Sequence, residues 1–228
     1  MTYLDWKHWD AASFGRCSAS QGRYFGWHLK RCGDVHRALE IGFGNGAFLG
    51  YARGLGIDVQ GVELEPALRE RAQAMGIPAQ AVMEDLPPGP PFDLVVAFDV
   101  FEHLDADRLG PLLQQVHARL APAGRLLCRV PNGDSPFGLK HQNGDASHRA
   151  AYGLDQLVQL AEPAGLRLVA QGEAPWHAMP DRKRNLSNLS RAAVAAVLEG
   201  AVRYAYRWPR LQLGPNLVAV FAPGPQAS

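Results

Sequence analysis

The 228-residue chain lacks the cysteines that a stapled fold would need. Its three, Cys17, Cys32 and Cys128, are an odd number without paired ligand spacing. That argues against a disulfide framework and for a reducing, cytoplasmic compartment. Charge of one sign is lacking too: 23 basic residues stand against 22 acidic ones, a formal net charge of +1, so no global field recruits nucleic acid. No stretch reaches the roughly 20 apolar residues of a membrane span. Residues 1–10 carry charges and tryptophans where a secretory signal would have an apolar core. Repeats and long low-complexity tracts are missing as well. What remains is a globular chain near the upper limit of what one core supports.

Glycine, by contrast, is placed with a pattern. Leu39-Glu40-Ile41-Gly42-Phe43-Gly44-Asn45-Gly46 sets three glycines at alternate positions, and Glu63 closes a second, mostly apolar run over residues 57–63. Such glycines let a backbone turn sharply out of a strand and approach a ligand closely, which side chains would prevent. A carboxylate about 20 residues on can accept hydrogen bonds from both hydroxyls of a ribose. The pattern points to an adenosine derivative.

Two such ligands compete. Gly42-x-Gly44-x-x-Ala47 satisfies the permissive dinucleotide fingerprint, the mark of an NAD-dependent reductase. Against it, Glu40 stands at the strand end, where it would attract a cationic amino acid moiety and repel a pyrophosphate. The glycine spacing also continues to Gly46. The Tyr-x-x-x-Lys pair of a short-chain dehydrogenase is missing downstream: Tyr152 is followed at that spacing by Gln156, while Tyr3 and Lys7 precede the cradle. S-adenosylmethionine (SAM) is therefore the expected cofactor.

Four blocks in order carry a family resemblance: Glu40 to Gly46; Gly61-Val62-Glu63; Phe92 through Asp99 to Glu102 and His103; and residues 120–130 with their Pro-Ala-Gly-Arg turn. Over residues 36–170 the chain resembles the class I SAM-dependent methyltransferases. Residues 131–148 are similar to a subgroup of small bacterial methyltransferases, some found with polysaccharide-assembly enzymes. The resemblance implies that Glu40, Gly42, Gly44, Gly46 and Glu63 hold the cofactor, with Phe98 and Asp99 beside its methionine part. It also implies an Asp for the adenine amino group in the loop after the third strand. Here that position is Val82, so Met83 through its backbone, or Glu84 or Asp85, must substitute.

Strand and helix patterns alternate along the chain as a parallel sheet requires. Strands are expected at residues 37–41, 57–62, 78–82, 92–98, 125–130, 167–171 and 216–221. Helices are expected at 47–55, 66–75, around Leu109 to Leu120, and around Leu154 to Ala161. This is an α/β, doubly wound, seven-stranded and mostly parallel sheet, which binds ligands at the carboxyl ends of its strands. Residues 1–35, with Trp6, Trp9, Phe14, Tyr24, Phe25 and Trp27, read as an aromatic lid ahead of a domain over 36–228. A helical insertion at about 181–208 sets Arg191, Glu199, Arg203 and Arg207 opposite Leu189, Ala193, Val197, Ala201 and Tyr204. Its apolar face is expected to cover a core or a homodimer interface, without membrane contact.

The acceptor end is read from two loops. His103 follows the fourth strand, and an imidazole with a pKa near 6.5 suits proton removal at neutral pH. Asp105 reads as the N-cap of the next helix. The polar stretch 131–148 is long for a compact domain. Its Asn, Asp, Ser, Gln and His groups suit a polyhydroxylated acceptor, with Phe137 available to stack. Asp145 and His148 are expected as an orienting carboxylate and a base. His141, Asp145 and His148 match no standard metal-ligand spacing, and no metal is expected. The expectation is a methyltransferase acting on a polar small molecule or a saccharide, probed against a reductase and a non-catalytic SAM-binding assembly partner.

Overall fold

A computed structural model describes residue 9 and residues 11–174, 185–208 and 211–224, with side chains of the 185–208 segment described from residue 190. Expectations placed on Tyr3, Trp6, Leu189 and residues 180–184 lie outside the described residues.

Seven strands form one sheet in the order β3-β2-β1-β4-β5-β7-β6. They are β1 (Arg37–Ile41), β2 (Asp58–Val62), β3 (Ala79–Gln80), β4 (Phe92–Phe98), β5 (Leu120–Pro131), β6 (Leu166–Gln171) and β7 (Asn216–Pro223). β1 pairs in parallel with both β2 and β4, so the order reverses there and opens a crevice beyond their carboxyl ends. β7 runs antiparallel between β5 and β6.

Helices cover both faces. α1 (Ala19–Leu29), α2 (Ala47–Gly54) and α3 (Pro66–Ala74) pack on one, with Phe25, Phe48, Leu49 and Leu68 in a single core cluster. α4 (Ala106–Arg119) and α6 (Leu154–Ala161) pack on the other through Leu109, Leu113, Val116 and Leu157. The continuous apolar run of β4 is explained by this arrangement. Leu94 and Val96 enter one core while Val95 and Ala97 enter the other, following the period of two along a strand.

Three local expectations are corrected. β5 begins five residues before the expected Arg125, because Leu120 already pairs with Phe92 ahead of a register shift. A Cβ on Gly124 would lie 2.8 Å from the Phe92 carbonyl oxygen, so the Pro-Ala-Gly turn is an irregularity inside the strand. Asp105 occupies the N-cap position of α4, but its side chain makes no cap bond and lies 3.5 Å from Arg149 instead. The loop after β5 contains a one-turn helix, α5 (Leu139–Gln142).

The apolar face of the long helix α7 (Asn185–Tyr206) does not cover a core of the same chain, the first of its two expected roles. Val197 and Tyr204 on the apolar stripe are 71% and 90% exposed. The charged stripe makes the contacts: Glu199 pairs with Arg203 at 2.7 Å and accepts from the Leu213 N–H, while Arg203 donates to the Leu211 carbonyl. Backbone groups of the connection into β7 need partners, and this pair supplies them.

Candidate active site

The crevice at the ends of β1 and β4 is a cavity of about 1630 Å³. That exceeds the range of roughly 300–1,000 Å³ usual for one small ligand, and leaves room for a nucleoside and an acceptor. Glu40, Gly42, Gly44, Glu63, Met83, Glu84, Phe98, Asp99, His103, Asp145 and His148 all line it.

At the cradle, Gly42, Gly44 and Gly46 have φ of 65°, 50° and 69°, a region that L side chains rarely adopt. The Gly42 N–H donates to the Val62 carbonyl at 2.7 Å, fixing the turn to the neighbouring strand. A Cβ on Gly44 would come within 2.7 Å of the Trp9 ring, so Trp9 lies against the cradle. Gly46 is placed differently from expectation. It is the N-cap of α2, does not line the cavity, and lies under the Phe14 ring, where a Cβ would have 2.9 Å. Its freedom serves the packing of that aromatic segment.

The two carboxylates differ in surroundings. Glu63 accepts from the Gly44 N–H through one oxygen and from the Glu65 N–H through the other, both at 3.0 Å. An ionised carboxylate has about four acceptor positions, so two stay open toward the cavity. Glu40 is buried at 4% exposure, and its Oε2 has no hydrogen-bond partner. Burial pushes its pKa well above the usual carboxylate range, against an N–H from Leu49, and the nearby Glu63 charge adds to the rise. A buried, unsatisfied carboxyl at a ligand cavity is suited to a cationic partner.

In the loop after β3, Met83 begins a short 3₁₀ turn and is buried, while Val82 and Glu84 border the cavity. Glu84 accepts from Gln115 Nε2 at 2.7 Å, and Asp85 is not among the lining residues. Phe98 stacks on Phe25 with ring centroids 5.6 Å apart. Asp99 follows with φ of 56° and binds Arg129 in a two-pronged ion pair, Nε to Oδ1 at 2.8 Å and Nη2 to Oδ2. Burial opposes the Arg129 charge, but Asp99 outweighs it and raises the guanidinium's affinity for its proton. Arg129 also lies 5.4 Å from the centre of the Tyr24 ring. Sequence reasoning missed Arg129. The available signal was a charge inside the otherwise apolar run Leu126 to Val130.

His103 and His148 come together at the end of β4, ring centroids 4.8 Å apart. His148 Nδ1 lies 2.9 Å from the Gln142 carbonyl oxygen, which can only accept, so this nitrogen carries the proton. His103 Nδ1 faces the Ser147 carbonyl at 3.3 Å and its hydroxyl oxygen at 3.2 Å. The Ser147 hydroxyl hydrogen goes to Asp145 Oδ1 at 2.5 Å, so His103 Nδ1–H is again the donor. With Nδ1 as the donor, the tautomer of a neutral ring at either position carries its acceptor lone pair on Nε2. His148 Nε2 is 3.9 Å from Asp145 Oδ2 and 3.9 Å from Oε1 of Glu102, a residue only 1% exposed.

The rest of the polar loop is structural. Asn132 donates to the Gln212 and Gly214 carbonyls, Ser135 donates to the Leu213 carbonyl, and Asp134 accepts from the Leu154 N–H at the start of α6. Phe137 is 57% exposed and lies off the cavity. Apart from Pro131 at its start, only the later part of the loop, from Lys140 on, reaches the cavity wall.

A profile for a methyltransferase domain matches residues 13–171, more than half of the chain. The chain belongs to this methyltransferase domain family. No curated protein matches. Among solved structures, the methyltransferase is similar to a TehB-like SAM-dependent methyltransferase from Corynebacterium glutamicum, at 20% identity over 96% of this chain and 95% of that one, with a TM-score of 0.58. It is also similar to a SAM-dependent methyltransferase from Archaeoglobus fulgidus, at 17% identity, 88% and 91% coverage and a TM-score of 0.61. The CcbJ methyltransferase from Streptomyces caelestis matches at 17% identity, 90% of each chain and a TM-score of 0.59. These likenesses establish the shared fold. Family membership decides for SAM over a dinucleotide, in agreement with the buried Glu40 carboxyl. Among the described residues, no helix is long and apolar enough to cross a membrane.

Proposed function

We propose that this methyltransferase moves the methyl group of SAM to a hydroxyl of a polar small molecule, a saccharide first among candidates, in the cytoplasm. Bound SAM supplies an already activated sulfonium methyl, so the protein's main work is orientation, worth roughly 7–11 kcal/mol in favourable cases. Glu63 would take the ribose hydroxyls on its open acceptor positions, and Glu40 the ammonium group. Met83 and Glu84 border the place left to adenine, and Phe98 and Asp99 the methionine end. Trp9, Tyr24 and Phe25 line the same cavity and would act as a lid that excludes water.

The observation that carries the hydroxyl reading is the pair of imidazoles His103 and His148, which meet at the cavity wall with each ring oriented through its Nδ1. A hydroxyl acceptor must lose a proton, and a positioned base typically contributes about 10²–10⁴-fold. His148 beside Asp145, with His103 next to it, can take that proton directly or through a bound ion.

Calorimetric titration with S-adenosylhomocysteine and with NADH tests the cofactor. Saturable S-adenosylhomocysteine binding is expected, and NADH binding alone would overturn the reading. A labelled-methyl screen over hydroxylated acceptors tests the acceptor class. Cofactor binding without turnover on any of them would favour a non-catalytic SAM-binding partner.

A further inference from the structure

Glu102, His103 and His148 each offer a ligand atom within 4.8 Å of the others, a set that the expected grouping of His141, Asp145 and His148 did not contain. We propose that these three residues hold a divalent first-row transition ion, of which Zn²⁺ is the natural probe. The proposal rests on the reading that the acceptor hydroxyl lies at this cluster, and specifies how its proton is removed.

Three observations converge on an ion. The donor set is two imidazoles and one carboxylate, the composition of catalytic sites with three protein ligands and an open position. Each imidazole gives its Nδ1–H to a fixed acceptor, the Gln142 carbonyl for His148 and Ser147 for His103. Such partners fix the ring and its tautomer and raise the basicity of the other nitrogen, as outer partners of metal-ligating histidines do. The main chain of Glu102 is also tied down. Its carbonyl accepts from the Arg149 N–H at 2.7 Å and the Ala150 N–H at 3.2 Å, so the loop bearing His148 is locked to the turn bearing Glu102 and His103. The spread of ligand atoms is wider than a bound ion's shell, whose ligands lie roughly 2 Å from the metal. Binding would therefore require the three side chains to draw together.

The chemistry balances without another reactant. The acceptor oxygen coordinates the open position, which lowers the pKa of its hydroxyl. Its O–H bond breaks, with the proton going to Asp145, whose Oδ2 is 3.9 Å from His148 Nε2. The new O–CH₃ bond forms as the sulfonium C–S bond breaks, giving the methyl ether and S-adenosylhomocysteine. His103 and His148 act as ligands in this scheme, and Asp145 is the proton acceptor.

The test uses the full chain stripped with a chelator. Zn²⁺ is titrated calorimetrically and Co²⁺ by its visible ligand-field absorption, while S-adenosylhomocysteine affinity is measured on the same samples. We expect one saturable metal site, weakened at least about 10–100-fold by Glu102→Gln and by His148→Ala. His141→Ala, at an exposed cavity residue outside the set, should leave metal affinity unchanged. His103→Asn replaces Glu102→Gln if the latter loses S-adenosylhomocysteine binding through misfolding. The absence of a saturable site, or a site that survives these substitutions, overturns the proposal. Chelation should also abolish methyl transfer while S-adenosylhomocysteine still binds; chelator-resistant turnover would leave direct deprotonation by an imidazole and sink the ion. Metal binding with no methyl transfer to any hydroxyl would instead retire the acceptor reading and keep the site.

Discussion

Gly44 and Glu63 are 19 residues apart and bonded to each other, one following β1 and the other the strand that pairs with it. His103 and Ser147 are 44 residues apart and meet only because a loop folds back on the end of β4. The proposed cofactor end of the cavity is thus built from one β-α-β unit, and the proposed acceptor end from two separate loops. A unit of the first kind must keep its spacing to work at all. A junction of the second kind can change its side chains without disturbing the sheet, which suits it to the proposed acceptor.

Substitutions should separate the two ends. The largest effect is expected at the acceptor end, where His148→Ala should lower turnover about 10³-fold in a labelled-methyl assay. S-adenosylhomocysteine affinity should stay within about twofold. Joint loss of both would erase the distinction. At the cofactor end, Glu63→Ala removes two hydrogen bonds to a charged group, each worth roughly 1.5–3 kcal/mol. Calorimetry should show binding weakened by about 100-fold or more, with turnover at saturating SAM much less affected.

Glu40 sharpens the comparison because it opposes stability and supports binding. Its folded pKa is raised, so between the ordinary carboxylate pKa of 4.5 and that raised value the folded protein holds the extra proton. Stability of the free protein is then unpenalised below the ordinary pKa and falls as pH rises toward the folded one. Glu40→Gln should raise the Tm of the free protein at neutral pH by about 2 °C or more, and weaken S-adenosylhomocysteine by about tenfold. An ammonium ligand selects the ionised carboxyl, so wild-type binding should tighten with pH and release a proton. Titration in buffers of different ionisation enthalpy measures that release, and pH-independent binding would remove Glu40 from the amino group.

A smaller effect is expected from the lid. Trp9→Ala should speed cofactor release a few-fold in stopped-flow, since the ring lies against the Gly44 turn at the cavity. Phe137→Ala should change nothing: stability within about 0.5 kcal/mol and the same turnover on any acceptor found. A loss of turnover there would extend the acceptor site beyond the cavity as it stands.

Much of this molecule was legible in the chain. β1 and β4 fall on the expected residues, because a strand buried on both faces leaves a short apolar run bounded by turn residues. That Glu40, Gly42, Gly44 and Glu63 meet at one cavity was legible for a related reason, as their placement depends on backbone turns and a fixed separation along sequence. The polar loop was harder. Its composition suggested a recognition surface throughout, yet Asn132, Asp134 and Ser135 bind backbone groups, and composition does not tell a group that faces a ligand from one that satisfies its own chain. The helix over residues 185–206 was found, but the choice between a core and a partner surface for its apolar stripe was not legible, since periodicity defines a face and not the surface it meets.

By itself the sequence determined the sheet, its switch point and the glycine turn after β1, because hydrogen bonding along strands and positive-φ turns are local demands that only certain residues meet. Tertiary structure alone decided that Arg129 closes on Asp99, that Gly46 lies under Phe14, and that Glu102, His103 and His148 converge. Those contacts join residues that no periodicity relates, and they exist because the packed sheet carries distant loops to the same crevice.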